Sequence, residues 1–95
     1  MYDLKPTGQF RKDLKLCQKR GYDLSNIEKA LEYLHQEGQV PENYQPHKLV
    51  GKNYQGFWEC HIEPNWLLVY GIQETISLVA LVRTGTHSDL FKKSK

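Results

Sequence analysis

The apolar residues of this sequence recur at helical spacing before Phe57 and at every second position after it. Periods of 3.6 and 2 collect side chains on one face of different elements, so the chain must place helices before its main strands. Phe10, Leu14 and Cys17 define one helical face. Thr7 stands where a cap is needed. Arg20 and Gly21 supply a terminal cation and a glycine stop. A second helix is predicted from the capping-box spacing of Ser25 and Glu28, with Leu24 as the staple before it. Its buried stripe is Leu24, Ile27, Leu31 and Leu34, and Gly38 and Pro41 end it. Helices this close in sequence are expected to form a hairpin.

Tyr2 to Lys5 reads as a short first strand closed by Pro6. Gln39 to Pro46 is a polar loop, His47 to Val50 a candidate short strand, and Gly51 to Gly56 a turn-rich connection. From Phe57 the alternation puts Trp58, Cys60 and Ile62 toward the helices and Phe57, Glu59 and His61 on the opposite face. Pro64 and Asn65 form a turn. Trp66 to Ile72 is nearly continuously apolar, as a central strand requires. Thr75 to Thr84 is the last strand, its even positions Ile76, Leu78, Ala80 and Val82 facing the core. Arg83 then falls on the same face as His61. A short segment, Thr86 to Phe91, follows Gly85. The order β-α-α-β-β-β predicts one α+β domain over residues 1–95, with a helical hairpin on one face of a mainly antiparallel sheet.

At 95 residues there is room for one hydrophobic core. Cys17 and Cys60 lack metal-ligand spacing and read as small buried residues in a reducing compartment. No apolar run approaches the roughly 20 residues of a membrane helix, and Met1 to Phe10 lacks a signal-peptide core. A cytoplasmic location is the expectation. The net charge is +2, unevenly spread: six basic residues oppose three acidic ones from Met1 to Asp23, and Lys29 opposes Glu28, Glu32, Glu37 and Glu42 from Leu24 to Gln45. From Gln73 onward Arg83, Lys92, Lys93 and Lys95 outweigh Glu74 and Asp89. Such asymmetry suits contact with a polyanion over part of the surface; solvated helix faces would look the same.

Of the four histidines, His35 sits on the acidic helix and is expected to meet only solvent. His47, His61 and His87 fall at loop or strand ends near Arg83. Imidazole gives and takes protons near neutral pH, and guanidinium forks match phosphate oxygens. Two such histidines and an arginine can run phosphoryl transfer from an RNA 2′-hydroxyl with no metal or cofactor. There is no H-x-x-x-H, C-x-x-C, glycine-rich phosphate loop or G-x-S-x-G. Trp66 and Phe91 suit either a core or a base-stacking platform.

Two runs carry a more specific signal: His61-Ile62-Glu63-Pro64-Asn65-Trp66-Leu67-Leu68-Val69-Tyr70 and Arg83-Thr84-Gly85-Thr86-His87-Ser88-Asp89-Leu90-Phe91. With Phe10-Arg11-Lys12-Asp13-Leu14-Lys15, His47-Lys48-Leu49 and Gly51, they resemble the YafQ branch of the RelE toxin superfamily over nearly the whole chain. The resemblance implies a RelE-like fold and a type II toxin that cuts mRNA in the ribosomal A site without a metal. It implies an antitoxin similar to DinJ, with operator DNA reached only through the toxin–antitoxin complex, and no membrane partner. The implied catalytic residues are His47, His61, Arg83 and His87, with His87 as general acid and His47 or His61 as general base. Asn65, Trp66 and Phe91 are the implied substrate contacts, and Arg11, Lys12, Lys15 and Lys19 are implied to lie against ribosomal RNA. Asn65 departs from the family pattern, which usually carries aspartate there, and a neutral amide cannot serve as a base. The alternatives are a catalytically weak or inactive RelE-fold binding module, attenuated at Asn65 and serving as antitoxin partner or co-repressor, and a gyrase-directed toxin of the same fold.

Overall fold

The computed structural model describes residues 1–51 and 54–91. Lys52 and Asn53 of the expected connection, and the basic tail with Lys92, Lys93 and Lys95, lie outside the described residues. Five strands form one sheet: β1 (Asp3–Pro6), β2 (His47–Lys48), β3 (Trp58–Glu63), β4 (Trp66–Gln73) and β5 (Leu78–Gly85). Their spatial order is β1-β5-β4-β3-β2. Only β1 and β5 run parallel; the other neighbours are antiparallel. Helices α1 (Gly8–Lys19) and α2 (Leu24–Glu37) separate β1 from the rest, and α3 (His87–Leu90) follows β5. This is the expected α+β fold, with a two-residue edge strand at the candidate position His47.

Helix α1 is capped as the sequence predicts: the Thr7 hydroxyl accepts from the Phe10 N–H. The start of α2 differs. Asp23, not Ser25, is the cap, its carboxylate accepting the Ser25 N–H and hydroxyl, and Leu24 is the first helical residue. An acidic side chain two residues earlier competes well for the same orphan donors. Gly38 ends α2 in the left-handed conformation (φ 73°), and a Cβ there would collide with the Tyr2 ring. His35 does more than meet solvent: its Nδ1 lies 2.7 Å from the Tyr2 carbonyl oxygen and so ties α2 to β1.

Both helices cover one face of the sheet. Phe10 and Cys17 of α1 and Ile27, Ala30 and Leu34 of α2 share a cluster with Cys60, Trp66, Leu68, Tyr70, Val79 and Leu81. Trp58 and Ile62 pack on it, so the phase of β3 is as read from alternation. Burial pushes the Cys60 thiol up to about 12, and both cysteines are free. Strand β4 is buried from Trp66 to Gly71, as the central position demands.

The last strand is where the sequence reading fails and recovers. Glu74–Ile76 is a 3₁₀ turn, Ile76 is 61% exposed, and the strand begins at Leu78. Val79 and Leu81, not the even positions, enter the helix-side cluster. Pairing then skips a residue: Tyr70 opposes Leu81 but Val69 opposes Arg83. Val82 is the extra residue of a β-bulge, which reverses the alternation beyond it. Arg83 therefore reaches the predicted face, beside Val69, although the phase preceding it is inverted.

Candidate active site

Strand β3 presents Glu59 and His61 on the face away from α1 and α2, in register with Val69 and Leu67 of β4. Those two β4 residues form a second, smaller apolar cluster with Leu90 of α3, flanked by Leu49, Tyr54, Phe57, Val82 and Phe91. The site is built around it.

His87 is the first residue of α3. Thr86 caps that turn by accepting the Asp89 N–H, and the Asp89 carboxylate accepts the Thr86 N–H in return. Gly85 leaves room for this, since a Cβ there would stand 2.8 Å from Asp89 Oδ2. Arg20, at the end of α1, donates two hydrogen bonds to Asp89, at 2.7 and 3.1 Å. This pairing holds the Asp89 carboxyl well below the usual carboxylate range. So anchored, α3 brings the His87 ring to 6.2 Å from the His61 ring and 6.1 Å from Phe91, centroid to centroid. Among the described residues no hydrogen bond ties a ring nitrogen of His61 or His87. Asn65 lies at the same end: its Oδ1 accepts the His87 N–H at 3.4 Å.

Arg83 donates from Nε and Nη2 to Asp13, at 2.6 and 3.1 Å, and from Nη1 to the Tyr54 hydroxyl at 3.1 Å. Asp13 raises the guanidinium further above its already high value. Tyr54 also meets Phe91 edge-on at 5.7 Å. Arg83, His87, Phe91, Asp13 and Arg20 line a cleft of ≈ 750 Å³ between α1, β5 and α3.

His47 stands opposite Glu59 across β2 and β3. Its Nε2 lies 3.1 Å from the nearly buried Glu59 carboxylate, and its Nδ1 lies 3.3 Å from the Gln45 carbonyl oxygen. Both ring nitrogens therefore face oxygen acceptors, and His47 does not line the cleft.

The structure thus gathers His61, His87, Phe91, Arg83 and Asn65, and leaves His47 one strand outward. Trp66 is corrected: it is 2% exposed, its indole N–H donates to Thr84 Oγ1 at 2.9 Å, and Tyr22 packs on it at 4.8 Å. A ring enclosed this way offers no face to a base. Arg11, Lys12, Lys15 and Lys19 are exposed on α1, and none lines the cleft. Sequence reasoning missed Asp13, Tyr54 and Glu59. For Asp13 a signal existed: a carboxylate between Phe10 and Cys17 falls on the buried stripe of α1. Among the described residues no three His, Cys, Asp or Glu side chains converge to hold a metal ion.

The mixed-sheet α+β domain thus places His61 and His87 near one another, with Phe91 beside His87 and Arg83 in the same cleft as His87 and Phe91. The chain is a member of the YafQ family, described as the bacterial toxin of type II toxin–antitoxin systems, whose profile matches residues 2–92. It is 37% identical over 90 residues to the mRNA interferase toxin YafQ of Escherichia coli K12, covering 94% of this chain and 95% of that protein. The crystal structure of YafQ from E. coli BL21(DE3) superposes with a TM-score of 0.85 at 34% identity, covering 96% of this chain and 99% of the other. The toxin in the crystal structure of the E. coli DinJ–YafQ complex gives 0.84 at 35% identity, with 96% and 99% covered. Among the described residues no helix is long and apolar enough to cross a membrane.

Proposed function

We propose that this chain is a single-domain mRNA interferase toxin, an endoribonuclease that cleaves mRNA in the ribosomal A site without a metal or cofactor. The observation that carries the reading is the apposition of His61 and His87 beside the Arg83 cleft. His61 takes the proton from the 2′-hydroxyl as that oxygen attacks the adjacent phosphorus. His87 gives a proton to the departing 5′-oxygen, leaving a 2′,3′-cyclic phosphate and a 5′-hydroxyl. Arg83 stabilises the charge that builds on the phosphoryl oxygens. Phe91 holds a neighbouring base. His61 is preferred over His47 as base because both nitrogens of His47 already face oxygen acceptors. His47 instead borders the substrate path with Glu59 behind it. Asn65 steadies the amide end of α3 and takes no proton.

Arg11, Lys12, Lys15 and Lys19 contact ribosomal RNA phosphates through their exposed side of α1. An antitoxin like DinJ neutralises the toxin in the cytoplasm, and operator DNA is engaged only through that complex. The test is cleavage of a defined mRNA on programmed ribosomes. A discrete A-site cut is expected, slowed about 10² to 10⁴-fold by His87→Ala with antitoxin binding intact. An undiminished cut in His87→Ala would overturn the mechanism. No cut by the wild type, with antitoxin bound normally, would instead favour the inactive binding module, for which the neutral Asn65 is the reason; Asn65→Asp is then the variant to restore cleavage.

A further inference from the structure

We propose that Asp13 of α1 is a positioning residue for RNA cleavage, fixing the plane of the Arg83 guanidinium at the edge of the cleft. The inference rests on the nuclease reading above but concerns a residue that reading does not use. Asp13 is 7% exposed although it carries a charge and lies on a surface helix. A buried carboxylate persists only where donors satisfy it. Here four do so. Arg83 Nε and the Thr84 N–H reach Oδ2, at 2.6 and 3.2 Å. Arg83 Nη2 and Gln9 Nε2 reach Oδ1, at 3.1 and 3.0 Å. The side-on, two-bond pairing defines the guanidinium plane, which a single contact would leave free to turn.

Arginine has five N–H donors. Asp13 takes two and Tyr54 one, which leaves one on Nη1 and one on Nη2. These are the donors available to a phosphate, and Arg83 lines the cleft. The tether to Thr84 matters as well. Asp13 grips the backbone of the residue after Arg83, just past the bulge that turned the strand. One carboxylate therefore sets both where the arginine begins and how its head is oriented. Among the described residues, the β1–β5 ladder ends at Pro6 and Leu81, and past it the Thr7 hydroxyl donates to the Val82 carbonyl oxygen, so the Asp13 bond to the Thr84 N–H continues the hold on this edge of β5.

A merely structural link between α1 and β5 predicts something different from a positioning role. Single-turnover cleavage on programmed ribosomes separates them, using Asp13→Asn, Arg83→Ala and the double variant. The expected result is a loss of about 10-fold or more in the rate at saturation with Asp13→Asn, and no further loss when Arg83 is already alanine. An equal loss in the Arg83→Ala background would overturn the proposal. Asp13→Glu is expected to restore part of the rate. NMR of the Arg83 Nε–H gives an answer independent of catalysis. In the wild type that proton is expected downfield and slow to exchange, and in Asp13→Asn it moves to the position of free arginines. A freely exchanging signal in the wild type would overturn the proposal even if the variant did not fold. If the wild type failed to cut mRNA, the nuclease reading would fall while the NMR result still decided whether Asp13 holds Arg83.

Discussion

On the helix-covered face of the sheet, Trp66, Leu68 and Tyr70 of β4 are enclosed by two helices and by Val79 and Leu81 of β5. On the other face, Leu67 and Val69 of the same strand are covered only by Leu90 and a fringe of partly buried residues. Phe91 belongs to that fringe, and His61, His87 and Arg83 lie around it. The first face spends its apolar area on a continuous core. The second uses a small apolar patch to seat a one-turn helix, and the polar groups stand around its rim. A fully dry face could not hold His61 and His87, whose ring nitrogens have no hydrogen-bond partner among the described residues, because buried polar groups must be bonded. A fully solvated face could not hold α3 still. The smaller cluster reconciles the two demands.

The comparison is sharpened most by removing a leucine from each face. Leu68→Ala should destabilise by the upper part of about 2–5 kcal/mol, since Leu68 has no exposure and sits under both helices. Leu90→Ala should fall near the lower end of that range, because a single turn can settle into the void. Its effect on cleavage should exceed its effect on stability, as His87 rides on α3. Urea unfolding and single-turnover cleavage check both, and equal stability losses would erase the distinction between the faces.

Trp66→Phe comes next. It removes the indole N–H that donates to Thr84, whose hydroxyl still donates to the Leu67 carbonyl oxygen. The lost bond and the smaller ring should cost about 1–2 kcal/mol. Once corrected for the folded fraction, cleavage should be unchanged. A large loss of cleavage at unchanged stability would return Trp66 to the substrate.

The smallest effect is expected at the clamp between the faces, Arg20 with Asp89. The folded Asp89 carboxyl is held below its ordinary value by the hydrogen bonds from Arg20. Its contribution to stability is therefore complete above the unfolded carboxylate value of about 3.9. It is lost as pH falls through the lower folded value. Asp89→Asn should lower the melting temperature modestly at pH 7, and the gap from wild type should close on acidification below about pH 4. A gap that widened toward acid would contradict the assignment.

The helices were legible in the sequence, as were the face of β3 and the centrality of β4. Their signals are local: spacing, caps and stops within a few residues. Ser25 misled only because Asp23 offered a competing cap two residues earlier. Strand β5 was not legible in phase. A bulge at Val82 is set by pairing with β4 and leaves no mark in the alternation of the strand itself. His61, His87 and Arg83 could be picked out by residue type, but their working partners could not. Asp13 and Arg83 are 70 residues apart, and Arg20 and Asp89 are 69 apart.

By itself, then, the sequence determined the α+β class, the helix boundaries to within a residue or two, the inward face of β3 and the types of group available for chemistry. These follow from side-chain periodicity and from backbone donors that must be capped near where they arise. Only the tertiary structure decided that Trp66 is core, that Arg83 meets Asp13, and that His87 meets His61 while His47 turns to Glu59. Those outcomes depend on strand register and on which charges share a buried boundary. Both are fixed by contacts between distant segments, which carry no signature in the order of neighbouring residues.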